Sequence, residues 1–183
     1  MLGGRNVRPH RYGALVRTAA ALVVHPQIHR EEIDRFRSYI VAGPDQFDCD
    51  IWVGAVGGDG YGRFRINRDG YVLSVRPNRY ALAMAGGRLA AGVLALHQCD
   101  NPICVRADGT LLDHLEGSTQ AANLARISQH GRRGVLGYRG RMRGREAMYR
   151  RSLALRAAVI DGWDEERIAR ALASLDEGQP VLF

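Results

Sequence analysis

The chain has 183 residues, 26 basic and 19 acidic side chains, a formal charge of +7 and a pI near 9.9. That length suits one moderate domain with appendages, and that charge favours a polyanionic partner, most simply nucleic acid. Three cysteines are too few and too odd for a secreted disulfide framework, and the apolar stretch Ala14 to Val24 is short and broken by Arg17. Neither a membrane span nor a signal peptide is expected, and a reducing, cytoplasmic setting near the nucleoid fits the thiols best.

In chain order, residues 1–10 are basic and Gly-rich. Tyr12 to Val24 has helical periodicity that Pro26 ends, and Ile28 to Ile40 predicts an amphipathic helix with Ile33, Phe36 and Ile40 near one face. Gly43-Pro44-Asp45 is a turn. Ile51-Trp52-Val53 and Tyr61 to Ile66 read as strands around Gly57-Gly58-Asp59-Gly60, and Asp69-Gly70 marks a hairpin before a strand from Tyr71 to Val75. Alternation puts Tyr61, Arg63 and Arg65 on one face of their strand, opposite Gly62, Phe64 and Ile66. Asn78 to Ala85 predicts a helix stopped by Gly86-Gly87, Gly92 to Cys99 a short strand, and Thr119 to Gln129 a helix stopped by Gly131. Residues 132–151 are crowded with arginine and glycine and read as a basic linker. Ser152 to Ile160 and Glu165 to Leu175 predict two helices around Gly162-Trp163, with Asp164 as N-cap.

The chemistry concentrates in His97-Gln98-Cys99-Asp100-Asn101-Pro102-Ile103-Cys104, followed by His114 and Asn123. Cys99, Cys104 and His114 have zinc-like spacing, and Cys49 completes a Cys3His set that fills a tetrahedral shell. Three buried free cysteines are the plainer alternative. His97, at a strand end just before the knot, suits a general base for water, and the Asn123 amide oxygen suits a hard cation such as Mg2+. All 26 basic residues are arginine, which forks onto phosphates and guanine edges, although a GC-rich coding sequence explains the same excess.

At these residues the chain resembles the ββα-metal nucleases, often called HNH endonucleases, and is similar to phage and actinobacterial HNH proteins and to His-Cys box homing endonucleases. The resemblance covers about residues 33–133 and rests on Cys49-Asp50-Ile51-Trp52, Gly60-Tyr61-Gly62-Arg63-Phe64, Arg79-Tyr80-Ala81, the string from His97 to Val105, His114-Leu115 and Gly117-Ser118-Thr119-Gln120-Ala121-Ala122-Asn123. It implies an α+β fold with a ββα-metal core of antiparallel strands and a structural zinc knot, flanked by N- and C-terminal helices. It also implies His97 as general base, Asn123 as ligand of a catalytic Mg2+, Arg63 at the scissile phosphate, and Cys49, Cys99, Cys104 and His114 as a structural Zn2+ site. Cleavage would leave 5′-phosphate and 3′-hydroxyl ends. The chain departs from relatives in three places. Leu96 stands where many carry a second metal-ligating Asp, and Asn78 where they usually carry His. Nine residues separate Cys104 from His114, with Ala107-Asp108-Gly109-Thr110 as a surface insertion.

The expected organisation is an N-terminal helical segment over 1–45, a zinc-stabilised nuclease domain over 46–133, and an arginine-rich linker with a C-terminal helical hairpin over 134–183. Double-stranded DNA is the expected partner. The Tyr61, Arg63 and Arg65 face, with Arg68 and Arg76 nearby, would supply a two-stranded ribbon, with Arg132 and Arg133 after the knot and Arg167 and Arg170 on the last helix. That last pair of helices outlines a helix-turn-helix, and equally a hairpin for packing or dimerisation. A double-strand cut requires a homodimer. The rivals are a non-cleaving zinc-stabilised DNA-binding protein and a monomeric nicking enzyme.

Overall fold

A computed structural model of the chain describes residues 19–110, 112–129 and 138–176, without the side chains of 126–129, 138–143 and 174–176. In chain order the elements are β1 (Leu22–Val23), α1 (Arg30–Arg37), β2 (Ile40–Ala42), β3 (Asp50–Trp52), β4 (Ala55–Val56), β5 (Gly62–Arg68), β6 (Tyr71–Val75), α2 (Pro77–Gly86), β7 (Arg88–Leu89), β8 (Leu94–His97), β9 (Leu115–Ser118), α3 (Gln120–Gln129), α4 (Tyr138–Val159) and α5 (Glu165–Asp176). The fold is mixed α+β. Its strands form small antiparallel sheets, β1 with β7, β2 with β3, β4-β5-β6, and β8 with β9.

The core forms where aromatic side chains from separate elements meet. Phe36 of α1, Trp52 of β3, Phe64 of β5 and Tyr80 of α2 are essentially inaccessible to solvent. The Phe36 ring lies 4.5 Å from Tyr80, 5.3 Å from Phe64 and 5.5 Å from Trp52, centroid to centroid. Such contacts add to the burial of apolar area and fix ring orientation as well as position. Ile33 and Phe36, one helical turn apart, bury the inner face of α1, while Glu31 and Glu32 in its first turn and Arg35 and Arg37 in its last complement the helix dipole.

The β5–β6 hairpin turns through Asp69 and Gly70, both at positive φ (51° and 80°), as a two-residue Asp-Gly turn demands. Gly62, Phe64 and Ile66 are buried and Arg65 is exposed, as the alternation predicts. Strand β6 lies at the sheet edge with Tyr71, Val72 and Leu73 exposed. Helix α2 starts with Pro77 in its first turn and ends at Gly87 in the left-handed region.

Three expectations are corrected. Leu22 and Val23 belong to a strand paired with Leu89 and Arg88, where a helix through Val24 was expected; Tyr12 to Thr18 lie outside the described residues. The β-branched pair Val23-Val24 just before Pro26 favours extended backbone, and Val24 N–H donates to the Gly87 carbonyl at 3.0 Å. The second helix is shorter than expected, and Ile40 instead pairs with Trp52 across β2 and β3. The stretch read as a linker is helical from Tyr138. Its arginines obscure a stripe at helical spacing, in which Ser152, Leu155 and Val159 are buried and Met148 half-buried. Asp164 caps α5 as expected, its Oδ1 accepting from Arg167 N–H at 2.9 Å. Helices α4 and α5 form a hairpin, with Trp163, Ile168 and Leu172 packed against the core.

Candidate functional site

Backbone pairing gathers the cysteines and the histidine from four places. The segment around Cys104 runs antiparallel to β3: Trp52 N–H donates to the Ile103 carbonyl and Val105 N–H to the Asp50 carbonyl, each at 2.8 Å. Cys104 is thereby fixed beside Cys49, which precedes β3. Gln98 N–H donates to the His114 carbonyl at 2.8 Å, extending the β8–β9 ladder and bringing Cys99 to His114. Between the two later cysteines the chain turns tightly, with Asp100 at positive φ and Asn101 Oδ1 accepting from Ile103 N–H at 3.2 Å.

The outcome is a cluster in which the ligand atoms of Cys49, Cys99, Cys104 and His114 all lie within 4.8 Å of one another. His114 Nδ1 is 3.5 Å from Cys49 Sγ and 3.6 Å from Cys104 Sγ. Tetrahedral zinc, with bonds of about 2.3 Å to sulfur and about 2.0 Å to nitrogen, sets those atoms about 3.5 Å apart. These residues could hold a metal such as zinc. The thiols point the same way. Hydrogen bonds from Cys104 and Cys49 pull the Cys99 thiol well down, while Cys49, Cys99 and burial drive Cys104 far up. Thiols packed this closely oppose one another's ionisation, and a divalent cation would offset that repulsion.

The insertion before His114 does not disturb the cluster. Asp113 accepts from Asp108 N–H at 2.8 Å and Gly109 N–H at 3.0 Å, so the extra residues close on themselves as an outward loop. His114 N–H donates to the Arg106 carbonyl, returning the chain in register. On another side, Cys49 and Cys99 border a cleft of about 240 Å³ shared with Arg151, Leu155, Trp163 and Leu172.

His97 ends β8 and is only 9 % exposed. Its Nε2 lies 3.1 Å from the Cys104 carbonyl, which can only accept, so Nε2 carries the proton and Nδ1 is left as the basic nitrogen. Burial pushes its pKa below the usual histidine value, against the opposing pull of Cys99. Asn78 is buried. Its Nδ2 donates to the Ala95 carbonyl at 3.0 Å and so ties α2 to the strand that ends at His97. Leu96 is half-buried opposite Glu116. Asn123 is half-buried on the first turns of α3, between the exposed Ala122 and Leu124.

The arginines divide by what they touch. Arg63 Nη2 pairs with Asp59 Oδ1 at 2.7 Å and Arg76 Nη2 with Asp59 Oδ2 at 2.9 Å. The Arg76 guanidinium stacks 4.0 Å from the centre of the Tyr61 ring, which lies 5.9 Å from the His97 ring. Arg65 is exposed on the same strand. Arg68 turns to α1, pairing with Glu32 at 2.7 Å and donating to the Val23 carbonyl, with His29 also in contact. On α5, Arg167 faces Asp161 and Arg170 donates to the Glu166 carbonyl. Arg132 and Arg133 lie outside the described residues. Asp59 gave no signal in the sequence, because a carboxylate in a glycine loop has no periodic partner.

Among the described residues, no helix is long and apolar enough to cross a membrane. No family model and no solved structure matches the chain. The chain is similar to Protein 7.7 of Escherichia phage T7, 37 % identical over 57 residues, which make up 31 % of this chain and 41 % of that protein. The match therefore spans less than half of the phage protein's length.

Proposed function

We propose that the protein is a metal-dependent DNA endonuclease of the ββα-metal type, with a homing or phage-type role. The observation that carries this reading is the bond from His97 to the Cys104 carbonyl: a buried imidazole, fixed in one tautomer by the metal-ligating loop itself, with Nδ1 left to accept a proton. The succession β8, β9, α3 supports it, because the strand pair that flanks Cys99, Cys104 and His114 leads directly into the helix bearing Asn123.

In this reading His97 Nδ1 takes the proton of the attacking water. The Asn123 amide oxygen is a neutral hard donor at the edge of solvent, a setting that suits Mg2+ with most of its water retained. When bound, such a cation supplies positive charge toward the crowded phosphate and the leaving 3′ oxygen. Arg63 contacts the scissile phosphate. Cys49, Cys99, Cys104 and His114 would hold Zn2+, which would brace the loop that orients His97 without entering the chemistry. Double-stranded DNA is the substrate, Arg65 and Arg76 add phosphate contacts, and a homodimer makes a double-strand cut.

The test is supercoiled plasmid incubated with Mg2+ or with EDTA, alongside His97→Ala. Mg2+-dependent nicking or linearisation is expected, lost in His97→Ala while metal content, folding and DNA binding persist. Tight binding without cutting by the wild type, on plasmid and on source-genome DNA alike, would replace the endonuclease by a non-cleaving DNA-binding protein.

A further inference from the structure

We infer that Asp59 is the positioning residue of a two-arginine phosphate seat beside His97, with Arg63 and Arg76 as its arms. The inference rests on the nuclease reading for its ligand, a DNA phosphodiester group.

Each Asp59 carboxylate oxygen holds a different guanidinium, Arg63 at 2.7 Å and Arg76 at 2.9 Å. Arg63 is fixed further by Nη1, which donates to the Tyr61 and Gly62 carbonyls at 3.1 and 3.0 Å. Arg76 is fixed by the Tyr61 ring beneath it, and Tyr61 in turn neighbours His97. The side chains of Arg63 and Arg76 remain 33 % and 44 % exposed, open to an incoming phosphate. A guanidinium has five N–H donors: the contacts to Asp59, Tyr61 and Gly62 leave Arg63 its Nε–H and one Nη2 proton, while the single bond to Asp59 leaves most of the Arg76 fork for a phosphate.

The loop that carries Asp59 is itself held. Gly60 sits at φ +82°, where a Cβ would come within 2.7 Å of Met148 Cγ. Its carbonyl accepts from the buried Ser152 hydroxyl of α4 at 2.7 Å, and its N–H donates to the Gly57 carbonyl at 2.8 Å. Partly exposed ion pairs contribute little stability, and a carboxylate beside DNA opposes phosphate binding. Asp59 Oδ1 also accepts from Tyr61 N–H at 3.3 Å, which accounts for the turn, but a bond to one backbone N–H does not account for a carboxylate that holds two guanidinium groups in one orientation.

Asp59→Asn keeps the shape and removes the charge, so electrostatics and positioning predict opposite signs. The variant is expected to bind duplex DNA in EDTA at least as tightly as the wild type and to melt within a few degrees of it. It should nick plasmid in Mg2+ about 10- to 100-fold more slowly through kcat, with KM little changed. Nicking at the wild-type rate would overturn the seat, as would a slower rate accompanied by equal loss of affinity and melting temperature. A double-mutant cycle in EDTA judges the seat without cleavage. Arg76→Ala should weaken duplex binding about fivefold with Asp59 present and less than about twofold in Asp59→Asn. Equal losses in both backgrounds also overturn it. A wild type that cuts nothing would remove the nuclease reading alone, because the cycle still decides the seat.

Discussion

Cys99 joins two structural tasks, since its thiol belongs to the Cys/His cluster while its neighbour Gln98 carries the backbone bond to His114. Replacing the thiol by a hydroxyl leaves that bond in place and removes one soft ligand. Cys99→Ser is therefore expected to lose bound zinc, measured by elemental analysis, and to unfold at markedly lower temperature, because a structural metal contributes folding energy directly. A well-folded variant free of zinc would end the structural-metal reading. That Cys49, Cys99, Cys104 and His114 come together was legible from residue type and spacing, and even the long gap before His114 did not hide it. What spacing cannot convey is engagement. Arg63, Arg65, Arg68 and Arg76 look alike in the sequence, yet Arg68 is spent on Glu32 and Arg63 and Arg76 share Asp59.

Among the elements, α4 does what its composition conceals. Ser152 is fully buried, and its hydroxyl satisfies the Gly60 carbonyl. Ser152→Ala leaves that carbonyl without its partner and should cost about 1–3 kcal/mol in urea unfolding. A neutral result would mean the loop relaxes to find water. The hairpin at Asp69-Gly70, helix α2 with its Pro start and Gly stop, and the capped α5 were all readable, because each is set by local turn or cap chemistry. Strands β1, β7 and β9 were not, since two- to four-residue strands owe their existence to a partner distant in sequence. Helix α4 was missed because arginine density obscured a sparse buried stripe.

At the scale of the whole molecule, a charge of +7 carried entirely by arginine predicts DNA affinity that falls about a hundredfold or more between about 50 and 200 mM salt. Fluorescence anisotropy across a salt series measures it, and a flat response would exclude arginine–phosphate contacts as the source of affinity. The Cys/His cluster acts on the same scale, for Cys49 and His114 are 65 residues apart and nearly all of the aromatic core lies between them or against that span. A metal bound there would tie together ligands 65 residues apart, and because the unfolded chain does not keep those ligands assembled, its binding free energy goes to the folded state. Chelation would then withdraw support from the fold as a whole, so that loss of one ion loosens strands and helices that never touch it.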